Sequence, residues 1–576
     1  MIEQAIALHR SGRLAEAESL SRDILAQDPE HAMALNLLGV IEVQKRNAAD
    51  GLALIDRAIA REPRNADFHS NRGAALRSLG RLEDALVAYD RALEFKPDYA
   101  DAFMNRGNVL RMMKRHDEAL GAFDRALTLN PRHAQAHYNR GNVLRDLGRY
   151  DEALVSYGSA ISNDPNFAEA LCNLGFTLRE MRRYEQALDA YSRALAVRPG
   201  YADAHMGYGL TLTHLGRLED AADAYDRLLA IDPHHADALM NRGNALQDLG
   251  RPEDALACYD KALAVKPDSA EAHYNRGNTL RSLLRIGEAL AEYERALAIR
   301  PEFPEARYNR GVCRLLAGML PQGFDDYEQR WKCTALPFRR PALELPQWRG
   351  EDLNGRSILI HDEQGIGDTV QFCRYLSLLE ARGAQVAFLV RPAIAALMKS
   401  LPGGIRVLTG GDECAGFDFQ CAVMSLPHCF ATDLSNIPAT VPYLAADPER
   451  VALWRNRMTG DAFKIGVSWQ GNPAGSVDKG RSFPLRALNA LARMPGARLI
   501  ALQKNYGLEQ LQHLPEGMHV ETPGEDFDPG PDAFLDTAAL MASLDLIVTA
   551  DTSRSEEHTS ELQSLAYLVC RLLLEK

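Results

Sequence analysis

The chain has 576 residues, 46% of them hydrophobic and 25% charged, which is too long for one ordinary domain and enough for more than one core. Its net charge of −13 lacks the positive excess that binding a phosphate backbone requires, so nucleic acid is not an expected partner. Nine widely spaced cysteines form no CxxC pair, which argues against a zinc ribbon or a disulfide framework and for buried free thiols.

The first residues, MIEQAIALHRSGRLAEAESL, scatter charges through an apolar pattern and lack the uninterrupted core of a secretory signal. No later run approaches the roughly 18 to 20 uncharged apolar residues that cross a bilayer. A cytoplasmic protein without a membrane span is expected.

Repeats dominate from the start. Proline recurs at Pro29, Pro63, Pro97, Pro131, Pro165, Pro199, Pro233, Pro267 and Pro301, each interval being 34 residues. Gly39, Gly73, Gly107, Gly141, Gly175, Gly209, Gly243, Gly277 and Gly311 keep the same period. Leu, Ala and Tyr fall at helical spacing in each half-unit, a Gly-Arg turn such as Gly148-Arg149 separates the halves, and proline closes the pair because it cannot continue a helix. A glycine inside a helix costs about 1 kcal/mol relative to alanine, so its recurrence predicts a close helix-helix contact. This pattern resembles the tetratricopeptide repeat over residues 1–335, about ten helix pairs with the first and last irregular. The resemblance implies an all-α solenoid with a concave face that receives a protein or peptide.

Two residues before the glycine stands Asn71, Asn105, Asn139, Asn173, Asn241, Asn275 or Asn309, interrupted by Gly207. An amide both donates and accepts, which suits bonding to the backbone of an extended peptide. The alternative is an asparagine merely tolerated at an exposed helical position. The neighbouring arginines, and acids such as Glu118 and Glu152, are expected to pair with one another.

The period ends near residue 335, and residues 336–355 read as a linker or cap with prolines at 337, 341 and 346. Short β-rich runs then alternate with helical stretches, the texture of a parallel α/β fold. One half spans 356–445, with strand SILIH, a loop containing Gly365-Ile366-Gly367, a helix through Tyr375 to Arg382, and further strands in QVAFLV, IRVL and DFQCAVM. A second half spans 446–553, with strands in KIGVSW, ARLIALQ and LDLIVTADTS. Ligands of open parallel sheets bind at the carboxyl ends of the strands, here the loops 363–368, 469–482, 503–506 and 551–553.

EQGIGDTVQFCRY, VSWQGNP, GRS at 480–482, ALQK and LDLIVTADTS occur in the order seen in bacterial proteins that append a glycosyltransferase domain to tetratricopeptide repeats. That part, 346–553, resembles the ADP-heptose glycosyltransferase family, which has a GT-B fold of two Rossmann-like halves. The resemblance implies an acceptor-side first half, a nucleotide sugar as co-substrate of the second, and no metal or resident cofactor. Asp368 matches the family's proposed base, and its place at a helix start is expected to favour the ionised form; an N-cap that satisfies the first amides of that helix is the alternative. Gly365 and Gly367 form its turn. Ser468, Trp469, Asn472, Arg481, Gln503 and Lys504 match the diphosphate-side loops, where donors and positive charge stabilise a leaving diphosphate.

Asp551 and Thr552 match the start of the family's D-T-S/G-x-x-H sequence, but Glu556 stands where histidine is expected. Residues 554–576 open with RSEEHTSELQS, which resembles one reading frame of a sequencing adapter, so a non-native tail and a truncated second half are expected; an amphipathic helix is the alternative. Three functions stay open: a glycosyltransferase guided by its repeats, a scaffold with a degenerate α/β part, and a nucleotide-binding regulator.

Overall fold

The computed structural model describes residues 1–334, 336, 340–410, 414–439, 443–470, 482–504, 506–530 and 534–549. The chain forms two compact units, residues 1–267 and 268–576. Among the described residues, no helix is long and apolar enough to cross a membrane.

In the first unit every repeat is a helix pair, for example Ala134–Asp146 followed by Tyr150–Asn163. The turn between the two halves needs a left-handed residue. Gly80, Gly148 and Gly216 supply it at φ of +74°, +72° and +71°, whereas Arg46, Lys114 and Arg182 adopt it as non-glycines at the same register. The helical glycines do mark close contacts. A Cβ on Gly73, Gly107 or Gly141 would lie 2.7 Å from the ring of Tyr89, Phe123 or Tyr157. Gly207, the interruption in the asparagine register, has the Tyr191 ring where a side chain would stand. Tyr89, Tyr157, Tyr191 and Tyr225 are accordingly buried.

The second unit begins with further helix pairs, from Ala270–Ser282 to Leu320–Tyr327, and continues into two small parallel sheets. The first sheet has β1 (Ser357–His361), β2 (Gln385–Leu389), β3 (Arg406–Leu408) and β4 (Phe419–Ala422) in the order β3-β2-β1-β4. The second has β5 (Phe463–Ser468), β6 (Ala497–Ala501), β7 (Val520–Glu521) and β8 (Leu546–Thr549) in the order β7-β6-β5-β8. All pairings are parallel, with Ile358 opposite Val386 and Phe419, and Ile465 opposite Leu499 and Leu546.

The strands are shorter than their apolar runs. DFQCAVM yields only Phe419–Ala422, because Val423–Ser425 already turns into the helix Leu426–Cys429. The helix expected through Tyr375 to Arg382 divides into Ile366–Phe372, a tight turn Cys373–Tyr375 and Leu376–Ala381. One apolar core joins the last repeat helices to the first sheet: Tyr308, Val312, Phe324 and Tyr327 pack with Trp348, Ile358, Ile360 and Phe388. The second sheet has its own core of Ile465, Val467, Trp469, Leu499 and Ala501. The eight described cysteines are free thiols, six of them buried.

Candidate functional site

β1 is the inner strand from which the order of the first sheet departs to both sides, so its carboxyl end is a switch point where open parallel sheets bind ligands. The chain leaves β1 through Asp362, Glu363 and Gln364 and enters the helix Ile366–Phe372 with Gly365 as its N-cap. The positive φ of this turn falls on Gln364, at +60°, while Gly365 is extended at −80°. Gln364 is held in place by its Nε2–H bond to the Tyr327 hydroxyl at 2.6 Å and by Arg391 Nη2–H donating to its carbonyl.

Asp368 is buried, with 2% exposure, and its Oδ2 accepts the backbone N–H of Gly365 at 3.2 Å. The N-cap alternative is corrected: Gly365 is the N-cap, and Asp368 stands at the third helical position and reaches back to the Gly365 N–H. The expectation that the helix start would favour the ionised form is corrected. Burial pushes the carboxyl up to about 7, and the Gly365 bond offsets only part of that, with Glu363 adding repulsion.

Next to Asp368 lies a charge network that the sequence did not signal. Arg330 is fully buried and donates to Glu363 through Nε at 3.1 Å and Nη2 at 2.8 Å, to Glu328 at 2.6 Å and to Ser425 Oγ at 2.7 Å. Its guanidinium also stacks 4.3 Å from the Trp331 ring and 4.7 Å from that of Tyr327. Burial opposes the charge on Arg330, but Glu363 and Glu328 hold it protonated. Burial raises the Glu363 carboxyl, and Arg330 restrains that rise. His361, at the end of β1, is driven down to about 4 by burial. Asp362 accepts from Arg391 Nε at 2.8 Å. None of these partners stands at a spacing that a periodic reading detects; Arg330 meets Glu363 across the prolines that read as a linker.

At the second sheet, Gln503 ties two loops together. Its Oε1 accepts from Ser468 Oγ at 3.1 Å, Trp469 N–H at 2.9 Å and Gln470 N–H at 3.0 Å, while its Nε2 donates to the carbonyls of Gln470 and Tyr506 at 2.7 and 2.9 Å. Trp469 is fully buried, its indole N–H on the Gly507 carbonyl at 3.0 Å. Lys504 Nζ donates to the carbonyls of Phe527, at 3.0 Å, and Asp528. The structure thus brings Ser468, Trp469 and Gln503 together and turns Lys504 onto backbone oxygens. Asn472, Arg481, Asp551, Thr552 and residues 554–576 lie outside the described residues.

The asparagine register links neighbouring repeats. Asn71 Nδ2 donates to Asn36 Oδ1 at 3.0 Å, and Asn139 and Asn241 donate to the sulfurs of Met104 and Met206. Asn173 donates to the Tyr138 hydroxyl at 3.1 Å and to Asn142 Oδ1 at 2.8 Å; in the second unit Asn309 repeats this with Tyr274 and Asn278 at 3.3 and 2.8 Å. Asn139 and Asn309 are buried, whereas Asn71, Asn105, Asn173, Asn241 and Asn275 are half-buried. The arginines pair with the preceding second helix: Arg72, Arg106 and Arg140 each meet Asp56, Asp90 and Asp124 at 2.7 Å. Glu118 and Glu152 pair instead with Arg115 and Arg149 three residues back.

The chain is 25% identical over 258 residues to protein FlbA of Caulobacter vibrioides, a match that covers 41% of this chain and 43% of FlbA. Among solved structures it is similar to YrrB, described as a tetratricopeptide-repeat protein with an unusual peptide-binding site, at 29% identity, 32% of this chain, 95% of YrrB and a TM-score of 0.30. It is also similar to MamA, at 24% identity, 28% of this chain, 95% of MamA and a TM-score of 0.27. A repeat protein from Parabacteroides merdae matches 43% of this chain and 98% of its own at 17% identity and a TM-score of 0.35. Tetratricopeptide-repeat family profiles match residues 2–54, 73–114, 104–166, 172–236, 240–301 and 276–338. The 34-residue helix pairs within residues 2–338 belong to the tetratricopeptide-repeat family.

Proposed function

We propose that the chain is a protein-recognition scaffold whose repeats receive an extended peptide of a partner on the face formed by their first helices. The observation that carries this is the asparagine register: half-buried amides such as Asn71, Asn173 and Asn241 are pinned by their N–H groups to the preceding repeat, which preorganises their carbonyl oxygens for a peptide's N–H groups. Selection of a random-sequence peptide library against the full chain tests it. Enriched peptides are expected to lose about tenfold in affinity, roughly 1.4 kcal/mol, when Asn71, Asn105 and Asn173 are changed to Ala. No enrichment, or binding indifferent to those changes, would sink the idea.

A second reading is favoured by Asp368. We infer a GT-B glycosyltransferase in which this carboxyl, at about 7, takes a proton from an acceptor hydroxyl near neutral pH, where a general base works best. Ser468 and Gln503, with Asn472, Arg481, Asp551 and Thr552, would then face a nucleotide sugar, and transfer would proceed without a metal. Incubation with a panel of nucleotide sugars and the peptides selected above, followed by mass spectrometry, reads it out. Sugar transfer that persists with chelator and disappears in Asp368→Asn is expected; nucleotide binding without transfer would favour a regulator instead.

A further inference from the structure

Four consecutive repeats of the first unit carry arginine four residues after the helical glycine: Arg77, Arg111, Arg145 and Arg179, each partly exposed near the end of its first helix, with side-chain exposures of 36%, 24% and 15% for the last three. The run is bounded by Val43 before it and Thr213 after it. Neighbouring members are close enough to share partners. Asp146 lies 3.5 Å from Arg111 and 3.1 Å from Arg145, and Phe176, 38% exposed, has the guanidinium carbons of Arg145 and Arg179 at 5.5 and 5.0 Å from its ring centre. Glu180 pairs with Arg179 at 3.1 Å, and Arg77 has no ion pair among the described residues. Lys114 and His116 line a depression together with Arg111, Met112 and Asp146. The charges of the strip are therefore Arg77, Arg111, Lys114, Arg145 and Arg179 against Asp146 and Glu180, an unbalanced excess of cations in an acidic chain.

An opposite row, Asp67, Asp101 and Glu169, stands ten residues earlier on the same helices, about 15 Å away along their axes. Glu169 is paired with Arg198 at 2.6 Å and Asp101 meets His133 at 3.0 Å, so that end is largely balanced and the cationic excess lies at the arginine end. Packed helices lie about 8 to 10 Å apart, and a chain in the polyproline II conformation advances about 3.1 Å per residue with about three residues per turn, so every third side chain returns to the same face one repeat further on. We infer that this strip docks an extended acidic segment of a partner protein, with carboxylates at every third position on successive arginines and an apolar side chain against Phe176. The assignment rests on the scaffold reading and adds to it the charge and the period of the partner.

The test uses the full chain and fluorescence anisotropy with a labelled synthetic peptide bearing Asp at every third position in a Ser/Ala background. Controls have the same Asp residues clustered at one end, or Asn in their place. The spaced acidic peptide is expected to bind best, to weaken as salt rises from about 50 to 200 mM because exposed charges are screened, and to weaken similarly in Arg111→Gln/Arg145→Gln. The Arg111→Lys/Arg145→Lys chain keeps the charges and should retain most of the binding, and Arg193→Gln, on a second helix, should change nothing. Equal binding of the Asn peptide, or affinity unchanged in the Gln variant, overturns the acidic assignment and leaves the scaffold standing; equal binding of the clustered peptide overturns the period. If library selection also yields no ligand, both readings fall.

Discussion

The repeats and the turn after β1 use the same residue types to opposite ends. In the repeats, Arg72, Arg106 and Arg140 meet aspartates that are about half exposed, with side-chain exposures of 47%, 56% and 57%, so each pair contributes at most about 1 kcal/mol. At the turn, Arg330 is completely buried between Glu363 and Glu328, where solvent screens the charges far less. Stability is spread thinly along the first region and concentrated at one network in the second. A substitution should therefore be absorbed by a neighbour in the repeats and felt across the first sheet at the turn.

The sharpest way to break this contrast is Arg330→Met. It leaves Glu363 and Glu328 buried without their cation and should cost about 3 to 5 kcal/mol, whereas Arg106→Met should cost less than about 1 kcal/mol. Hydrogen exchange at the amides of β1 reads the local cost, and equal protection in both variants would show that the network is dispensable.

Asp368 and His361 give the turn a pH signature that the repeats should lack. Asp368 rises from an unfolded value of about 3.9 to about 7, so the folded chain holds a proton that the unfolded chain has lost, and stability falls by about 3 kcal/mol as pH climbs from 4 to 7. His361 has the opposite sign. Its folded value of about 4 lies below the unfolded value of about 6.5, so its contribution grows by about 3 kcal/mol over the same climb. The two nearly cancel in the parent chain. Separating them requires variants: Asp368→Asn should become more stable with rising pH, and His361→Gln less stable, in chemical denaturation followed at β1. Parallel profiles for both would remove burial as the cause.

The two regions were unequally legible for a physical reason. Gly141 and Pro165 each perform one local task, and the task repeats, so periodicity alone revealed helices, turns and contact glycines. Asn173 was visible as a register position, but its partners Tyr138 and Asn142 lie 35 and 31 residues back, on the neighbouring repeat. At the turn the helix start of Asp368 was readable, yet its protonation depends on desolvation by residues distant in sequence, and the opposite ionisation was expected. Trp469 and Lys504 looked like ligand contacts, and packing places one in the core and the other on carbonyls.

Within the repeats, glycine position sharpens the contrast further. Gly141→Ala drives a Cβ to 2.7 Å from the Tyr157 ring and should cost about 1 to 3 kcal/mol. Gly158, in the second helix of the same repeat, has nothing within 4 Å, so Gly158→Ala should stabilise by about 0.5 to 1 kcal/mol. Opposite shifts in the melting temperature of the two variants are expected; shifts of one sign would mean that helix propensity, not packing, governs both.

The smallest effect tests whether a repeat can borrow its neighbour's solution. Tyr157, Tyr259 and Tyr293 each donate their hydroxyl at 2.8 Å to the asparagine fifteen residues earlier, Asn142, Asn244 and Asn278. Tyr89 occupies the same register, but the residue fifteen positions earlier is Ala74, and its buried hydroxyl has no partner among the described residues. A buried hydroxyl left unmade costs about 1 to 3 kcal/mol, of which a new hydrogen bond returns about 1 kcal/mol net. Ala74→Asn should therefore stabilise the chain by about 1 kcal/mol, Tyr89→Phe alone should also stabilise it by removing the unpaired hydroxyl, and in the Tyr89→Phe background Ala74→Asn should add nothing. The double-variant cycle assigns the gain to the new bond: a gain that survives removal of the hydroxyl would instead belong to the introduced amide bonding to the following repeat, as Asn142 does with Asn173.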